Sequence, residues 1–344
     1  MNSPIELLNG RISLDPVDLL GYSRAMDTDV VMISGTLLEG IGNPYSDLDM
    51  YVIGEQLPSV APTGPVTLVI REDGRVRRVN EALPHAGGII LDVQYYTLHE
   101  LSTLSRSLNE LYAESRQSAR IFRKTLHPDD EDLIHKLLTG TVLRDDARVF
   151  DAHKIFDRGR FCFLKYRNEV GGYAEFRDLM GSWNDGDLDS CLFNMRNYLV
   201  SQVSGMLFLA GSTNPRPKWF LRRLASFGEP YTGLRRGLLS WLHGARGTDA
   251  QKREAIETAC HLIDSTWTHI RSLLGTAPTY FHPEEALALA DRELAARGSG
   301  DREADEEFEL LQRIFSANAA PLASQMNGQP HWRQPHALLK RALG

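Results

Sequence analysis

Residues 30–53 read VVMISGTLLEGIGNPYSDLDMYVI, and the two apolar runs of this segment predict two strands. Between the runs lies a turn containing Gly35, and glycine allows a positive φ and a close approach of the backbone to a ligand such as phosphate. Asp47 and Asp49 stand at the start of the second run, two residues apart. Residues with this spacing in a strand point to the same face, so we expect both carboxylates to project from one sheet.

A third carboxylate lies in a later apolar run. Residues 88–96 read GIILDVQYY, in which Asp92 is a lone acid and is unfavourable without a partner. Carboxylates held close together repel, and each disfavours ionisation of the other. A divalent cation removes that conflict, and Mg²⁺ prefers a few carboxylates with phosphate oxygens and water. This chemistry suits phosphoryl or nucleotidyl transfer.

The order of these residues resembles the DNA polymerase beta-like nucleotidyltransferase superfamily, in particular the antibiotic and minimal nucleotidyltransferases of bacteria. The family pattern is an apolar strand, Gly-Ser, a spacer, Asp-x-Asp, and a third Asp on a later strand. Here Gly35-Thr36, the spacer 37–46 and Asp47-Leu48-Asp49 follow that pattern, with Asp92 as the third acid. Thr36 replaces the usual Ser and keeps the hydroxyl. The resemblance covers residues 16–100.

The resemblance implies a Mg²⁺-dependent enzyme that moves a nucleoside monophosphate from an NTP onto a hydroxyl and releases pyrophosphate. We expect AMP from ATP as the transferred group, a small molecule or a protein as the acceptor, and two Mg²⁺ ions, with Mn²⁺ as an alternative. The implied catalytic residues and metal ligands are Asp47, Asp49 and Asp92. The implied nucleotide contacts in the same region are Gly35, Thr36 and Ser46.

Other interpretations stay open at this point. Separately, Asp-x-Asp is typical of a solvated strand end, Gly35-Thr36 of a plain turn, and Asp92 of a buried, hydrogen-bonded carboxylate. The chain could also be a non-catalytic nucleotide-sensing or antitoxin-like binding module, or a nucleotide second-messenger synthase. The presence of all three carboxylates favours an enzyme.

The wider pattern predicts an α+β fold, with a mixed β-sheet and flanking helices followed by an all-α helical bundle. Asp73-Gly74 indicates a hairpin turn, and helical patterns replace strand patterns after residue 98. We predict a nucleotidyltransferase domain over residues 1–125 and a helical substrate or acceptor domain over 126–297. Residues 298–344 are predicted to be a linker, a helix and a loosely ordered tail.

Two cations in the second half are candidates for neutralising a triphosphate. Arg216 and Lys218 alternate with prolines in residues 214–218, and a constrained turn loses little backbone entropy on binding. The alternative is that both simply lie at the start of a surface helix. A general base within the helical domain is not assigned by the sequence, and Asp92 is itself a candidate for that role.

Composition narrows the function class further. The 344 residues carry a net charge of −7, which argues against a duplex nucleic-acid partner. Three distant cysteines suggest neither a disulfide framework nor a zinc site, so a reducing cytoplasm fits best. The start of the chain lacks a signal-peptide pattern, and we find no run of apolar residues long enough for a membrane span. Nothing in the sequence indicates the oligomeric state.

Overall fold

The computed structural model describes residues 3–8, 10–59, 66–83, 88–120, 122–146, 150–170, 173–276, 279–297 and 302–328. The chain divides into two compact units. The first comprises Met1–Glu110, Leu126–Arg158 and Thr213–Trp219, and the second comprises Leu111–Thr125, Gly159–Ser212 and Phe220–Gly344. This division differs from the predicted boundary at residue 125, because two later segments join the unit that contains the sheet.

The first unit contains all the strands of the described chain and a few helices. In chain order they are β1 (Ile5–Leu7), β2 (Ile12–Leu14), α1 (Pro16–Ser23), β3 (Val30–Ser34), β4 (Leu48–Gly54), β5 (Thr67–Ile70), β6 (Val76–Leu83), β7 (Ile89–Thr97), the start of α2 (Leu98–Ser115), α3 (Pro128–Thr139), β8 (Thr141–Arg144) and α4 (Ala152–Ile155). A short 3-10 helix, Pro217–Trp219, completes it.

Six of these strands form one mixed sheet in the order β5-β6-β7-β4-β3-β8, and β1 pairs with β2 in a separate two-stranded sheet. Within the six-stranded sheet only the β4–β7 pair is parallel, and the other neighbours are antiparallel. A parallel pair aligns the starts of both strands, and this arrangement places the two Asp-bearing strands side by side.

Local sequence signals explain how several of these elements begin and end. Asp15 caps α1 by accepting from the Val17 amide, with Pro16 at the first helical position. The Thr97 hydroxyl accepts from the Glu100 amide at 3.1 Å, and the Glu100 carboxylate accepts from the Thr97 amide at 2.8 Å. This reciprocal pair is a capping box at the start of α2.

The two faces of the sheet differ in polarity. Along β4, Leu48 and Met50 point into the apolar core, and they alternate with Asp49. The core on that face also contains Leu7 from β1 and Leu19 from α1. The opposite face is therefore free to carry polar side chains.

The described residues of the second unit form helices and their connections, with no strand among them. Its helices are α5 (Arg158–Val170), α6 (Tyr173–Asp185), α7 (Leu188–Leu209), α8 (Phe220–Ser226), α9 (Thr232–His243), α10 (Asp249–Leu274), α11 (Pro283–Arg297), α12 (Arg302–Phe315) and α13 (Leu322–Gly328). Helix α7 packs against α6 and α10 around a buried apolar cluster. The buried Trp267 indole donates to Gln202 Oε1 at 2.9 Å.

The predicted α+β class, a mixed sheet followed by many helices, is confirmed. The helix predicted from about residue 302 is α12. The predicted linker at 298–300 and most of the predicted tail, residues 329–344, lie outside the described residues. None of the described helices combines the length and the apolar character of a membrane span.

Candidate metal and nucleotide site

Three carboxylates meet on the polar face of the sheet. The parallel register of β4 and β7 places Asp49 directly beside Asp92. Asp47 lies one residue before β4, and one carboxylate oxygen from each of the three residues lies within 4.8 Å of the others. Asp49 and Asp92 are buried, whereas Asp47 is exposed. The structure thus brings together the three acids that the sequence singles out.

The electrostatic environment of Asp49 is unusual for a carboxylate. Burial raises the pKa of Asp49 to about 7 even though the ammonium of Lys136, which donates to Oδ1 at 2.6 Å, lowers it. The neighbouring charges of Asp47 and Asp92 contribute to this raised pKa. Hard oxygen donors that are buried and crowded by like charge are a donor set that fits Mg²⁺ or Mn²⁺.

Asp92 is held by hydrogen bonds at both oxygens. Arg78 Nε on β6 donates to Oδ1 at 2.6 Å, and Gln94 Nε2 donates to Oδ2 at 3.0 Å. Asp92 is only 1% exposed, so the Arg78 contact supplies the charge partner that a buried carboxylate needs. Like Asp49, this acid therefore faces a cation from its own chain.

The backbone at Gly35 makes room for Asp49. Gly35 has φ +102°, and a Cβ atom there would lie 2.2 Å from Asp49 Oδ2. The sequence predicts that phosphate is the group close to Gly35, whereas in the structure the nearest side chain is this carboxylate. The residues that follow form hydrogen-bonded turns, in which the Leu38 and Glu39 amides both donate to the Gly35 carbonyl, and no regular helix begins there.

Replacing Gly35 by alanine is expected to impair both folding and the site. The positive φ strains any residue with a Cβ, at a cost of about 1–3 kcal/mol in unfolding free energy. The same Cβ must displace the Asp49 carboxylate, so Mn²⁺ binding is expected to weaken as well. Thermal melts and titration calorimetry with Mn²⁺ measure the two effects; Gly35→Val should show both more strongly.

Gly40→Ala is a matched control for this substitution. Gly40 also has a positive φ, +72°, but a Cβ there would meet no atom within 4 Å. We expect this variant to lose stability through backbone strain while it binds Mn²⁺ like the wild type. Equal Mn²⁺ binding by Gly35→Ala and the wild type would show that Gly35 only completes a turn.

Helix α3 presents polar side chains to this site. It begins at Pro128, and its N-cap is His127, whose ring Nδ1 accepts from the Asp129 amide. His135 and Lys136 lie three and four residues after Asp132, so all three side chains share one face of the helix. The helix ends at Gly140, where a Cβ would lie 2.4 Å from Met32 Cε on β3. Gly140 has φ −77°, so this close approach, and not a left-handed cap, accounts for the glycine.

The segment 213–219 is attached to α3 by two contacts. Arg216 Nε donates to Asp132 Oδ1 at 3.0 Å, and His135 Nδ1 lies 2.8 Å from Thr213 Oγ1. The other ring nitrogen of His135 lies 3.0 Å from Glu39 Oε1, which ties the turn after Gly35 to the same helix. The buried histidine thus connects three segments of the first unit.

All of the sequence-predicted site residues line one cavity of about 860 Å³. Every residue that lines it belongs to the first unit. The predicted residues on its wall are Gly35, Thr36, Ser46, Asp47, Asp49, Asp92, Arg216 and Lys218. Ser46 also has a structural contact, because its Oγ accepts from the Asn43 amide at 3.0 Å. Their roles as metal or nucleotide ligands stay predictions.

Several polar residues of the cavity were missed by sequence reasoning, namely Arg78, Gln94, Asp132, His135 and Lys136. Two signals in the sequence point to some of them. Gln94 lies two residues after Asp92 and so shares its face of the strand. Asp132 and Lys136 form an i,i+4 pair of opposite charge on a predicted helix.

Comparison with known proteins gives little further guidance. No protein-family model and no curated protein matches this chain. Among solved structures, the chain is similar to a nucleotidyltransferase-like protein from Exiguobacterium sibiricum 255-15, with a TM-score of 0.36 and 11% identity. The likeness covers 81% of this chain and 87% of that one. A similarity this distant says nothing about activity, so function must be argued from the site.

Proposed function

We propose that this protein is a divalent-metal-dependent nucleotidyltransferase. It transfers a nucleoside monophosphate, AMP from ATP in the form we expect, to a hydroxyl group of a small molecule or a protein. The acceptor oxygen forms a bond to the α-phosphorus. The bond between that phosphorus and the oxygen that bridges it to the β-phosphorus breaks, and pyrophosphate leaves. The acceptor gives up its hydroxyl proton, for which Asp92 is the candidate base.

One observation carries this proposal. Three carboxylates converge within 4.8 Å on a cavity of about 860 Å³ that is also lined by the cations Arg216 and Lys218. Acids alone would repel a triphosphate, and cations alone would not bind a metal. Their presence on one cavity suits a ligand that carries both metal and phosphate.

Asp47, Asp49 and Asp92 are the residues that would hold Mg²⁺ or Mn²⁺. When bound, the metal supplies charge neutralisation for the triphosphate and polarises phosphate and acceptor oxygens. The raised pKa of Asp49 and the crowding of the three acids are the features of this chain that fit such an ion.

The remaining residues hold and orient the reactants. Arg216 and Lys218 contact the triphosphate, and the fork of Arg216 stays oriented by its hydrogen bond to Asp132. Gly35 lies against Asp49, and together with Thr36 it lines the cavity that would hold the phosphate chain. Gln94 orients Asp92 by donating to its Oδ2.

Label position in ATP tests the proposal against other phosphate chemistry. The protein is incubated with Mg²⁺ and a metabolite and protein extract, using ATP labelled at either the α- or the γ-phosphate. Nucleotidyl transfer puts the α-label, and not the γ-label, into product, and Asp49→Asn abolishes the transfer. Incorporation of the γ-label would contradict the proposal.

Direct binding measurements cover the case in which the extract lacks the acceptor. Titration of the protein with a non-hydrolysable ATP analogue and Mg²⁺ is expected to show binding that Asp49→Asn weakens. Failure to bind any of the four NTPs would overturn the proposal. Binding of an NTP with no transfer to any acceptor would instead favour the nucleotide-sensing module, and a purely nucleotide product would favour the second-messenger synthase.

A further inference from the structure

We propose that Lys136 and Arg78 are built-in counter-ions of the two buried carboxylates, and that a divalent cation binds tightly only together with a triphosphate that draws these cations away. The inference rests on the function proposed above and adds a coupling between its two ligands. Metal loading would then depend on the nucleotide, because the chain supplies its own competitors for Asp49 and Asp92.

The contact between Lys136 and Asp49 is close and largely shielded from water. Lys136 Nζ lies 2.6 Å from Asp49 Oδ1, and the two side chains are 15% and 5% exposed. Burial alone would lower the pKa of Lys136, but Asp49 and Asp132 together raise it, so the ammonium is charged. A charge pair in such a place is screened little by solvent, and it competes directly with any second cation.

Asp92 also has a cationic partner, the guanidinium of Arg78. Arg78 Nε lies 2.6 Å from Asp92 Oδ1, and the Arg78 side chain is 42% exposed whereas Asp92 is 1% exposed. The guanidinium therefore reaches from the wall of the cavity to a carboxylate buried beneath it. Each of the two buried acids is engaged by a cation, whereas Asp47, the exposed member, forms no ion pair within the described residues.

Both cations have alternative partners when they leave the two buried acids. Lys136 keeps a second partner, Asp132, whose Oδ2 lies 3.2 Å from Nζ. Arg78 is the more exposed of the two and lines the same cavity as Arg216 and Lys218. Anionic phosphate oxygens in this cavity would be new acceptors for both side chains, since ammonium and guanidinium groups bind phosphate strongly.

A titration with Mn²⁺ alone tests the competition without any nucleotide. It is repeated over a range of pH up to about 9, because loss of the Lys136 ammonium raises the pKa of Asp49 further, and the variants are compared at the highest pH, where the proton competes least with the metal. Lys136→Met is expected to bind Mn²⁺ at least about tenfold more tightly than the wild type, because a charge competing for Asp49 is gone. Arg78→Gln is expected to change in the same direction, and the more exposed site makes this variant the safer one for folding.

Two variants separate a specific competitor from a general change in charge. Lys136→Arg keeps a cation beside Asp49 and is expected to bind Mn²⁺ as weakly as the wild type. Lys218→Met removes a cation from the wall of the same cavity, where its ammonium lies 5.2 Å from the Trp219 ring centroid. We expect less than about a threefold change from Lys218→Met, since Lys218, unlike Lys136 and Arg78, forms no ion pair with the acids in the described residues.

A second titration tests whether the triphosphate takes the two cations. The non-hydrolysable ATP analogue is titrated in EDTA, and Lys136→Met and Arg78→Gln are each expected to weaken its binding about tenfold. Unchanged Mn²⁺ affinity in both variants, or tightening by Lys218→Met to the same degree, would overturn the competition. Unchanged analogue affinity in both would overturn the coupling to the nucleotide.

These outcomes differ from a failure of the proposed activity. The Mn²⁺ titration needs neither an NTP nor an acceptor, so tighter binding by the variants would support the competition even in a protein without transferase activity. Conversely, transferase activity together with an Mn²⁺ affinity that does not change in the Lys136 and Arg78 variants would support the proposed function and contradict this inference.

Discussion

Asp49→Asn is expected to lower nucleotidyl transfer at least about a thousandfold, which corresponds to about 4 kcal/mol of lost transition-state stabilisation. The Asp49 carboxylate links the acid cluster: Asp47 lies two residues before it in the chain, and Asp92 lies beside it on the neighbouring strand. Its amide replacement keeps the shape but is a poor metal ligand. Asp47→Asn is expected to act in the same direction. Pyrophosphate release and Mg²⁺-dependent NTP binding both measure the loss.

The same substitution is expected to leave folding intact or slightly improve it. Burial raises the pKa of Asp49 to about 7, well above its value of about 4 in the unfolded chain. Between these two pH values the folded protein therefore binds one more proton than the unfolded chain. Stability from this group is therefore present at low pH and is lost as pH rises from about 4 through 7. In EDTA, the advantage of the Asn variant in thermal melts should grow over that interval.

A suitable control is Asp18→Asn, which removes an exposed acid from the first turn of α1. We expect this variant to keep full activity and to show no such dependence of its melting temperature on pH. Full transferase activity in both Asp47→Asn and Asp49→Asn would remove these carboxylates from the metal site.

Asp92→Asn is expected to separate catalysis from binding. If Asp92 takes the hydroxyl proton of the acceptor and binds the catalytic metal, it contributes mainly in the transition state. Single-turnover rates should then fall at least about a thousandfold, with NTP affinity changed less than about threefold. Asp47 and Asp49 also hold the metal that accompanies the triphosphate, so their Asn variants should lose affinity as well.

The contacts of Asp92 provide a further control for that experiment. Arg78→Gln removes its charged partner but leaves the carboxylate and Gln94 in place. Its rate should fall less than that of Asp92→Asn. A loss of NTP affinity in Asp92→Asn as large as in the other two Asn variants, or no loss of rate, would show that Asp92 has been given the wrong role.

The acid cluster could be predicted because its geometry follows from short-range rules. Asp47 and Asp49 share a face through the two-residue repeat of a strand, and Asp92 is conspicuous as a single acid among β-branched and aromatic neighbours. What the sequence alone does not contain is the pairing of β4 with β7, which places Asp49 beside Asp92. The resemblance to a known pattern supplied that link.

The two cations that contact the buried acids, Lys136 and Arg78, were missed for the opposite reason. Lys136 reaches Asp49 across 87 residues of sequence, and His135 reaches Glu39 across 96. Nothing local to α3 shows which of its polar side chains face solvent and which face a sheet, because a half-polar helix looks alike in both cases. The compact unit that contains the strands also includes α3, which lies beyond the predicted boundary at residue 125.

The register of β4 and β7 also determines how this chain could tolerate insertions and deletions. Asp49 and Asp92 meet only because the two parallel strands are aligned residue for residue, Leu48 with Leu91 through Gly54 with Thr97. Deleting one residue early in β7 would exchange the faces of that strand and turn Asp92 toward the apolar core. The turn at Asp73-Gly74 carries no such constraint. Length variation in natural or engineered relatives is thus expected to gather in that turn, while both Asp-bearing strands keep their lengths unchanged.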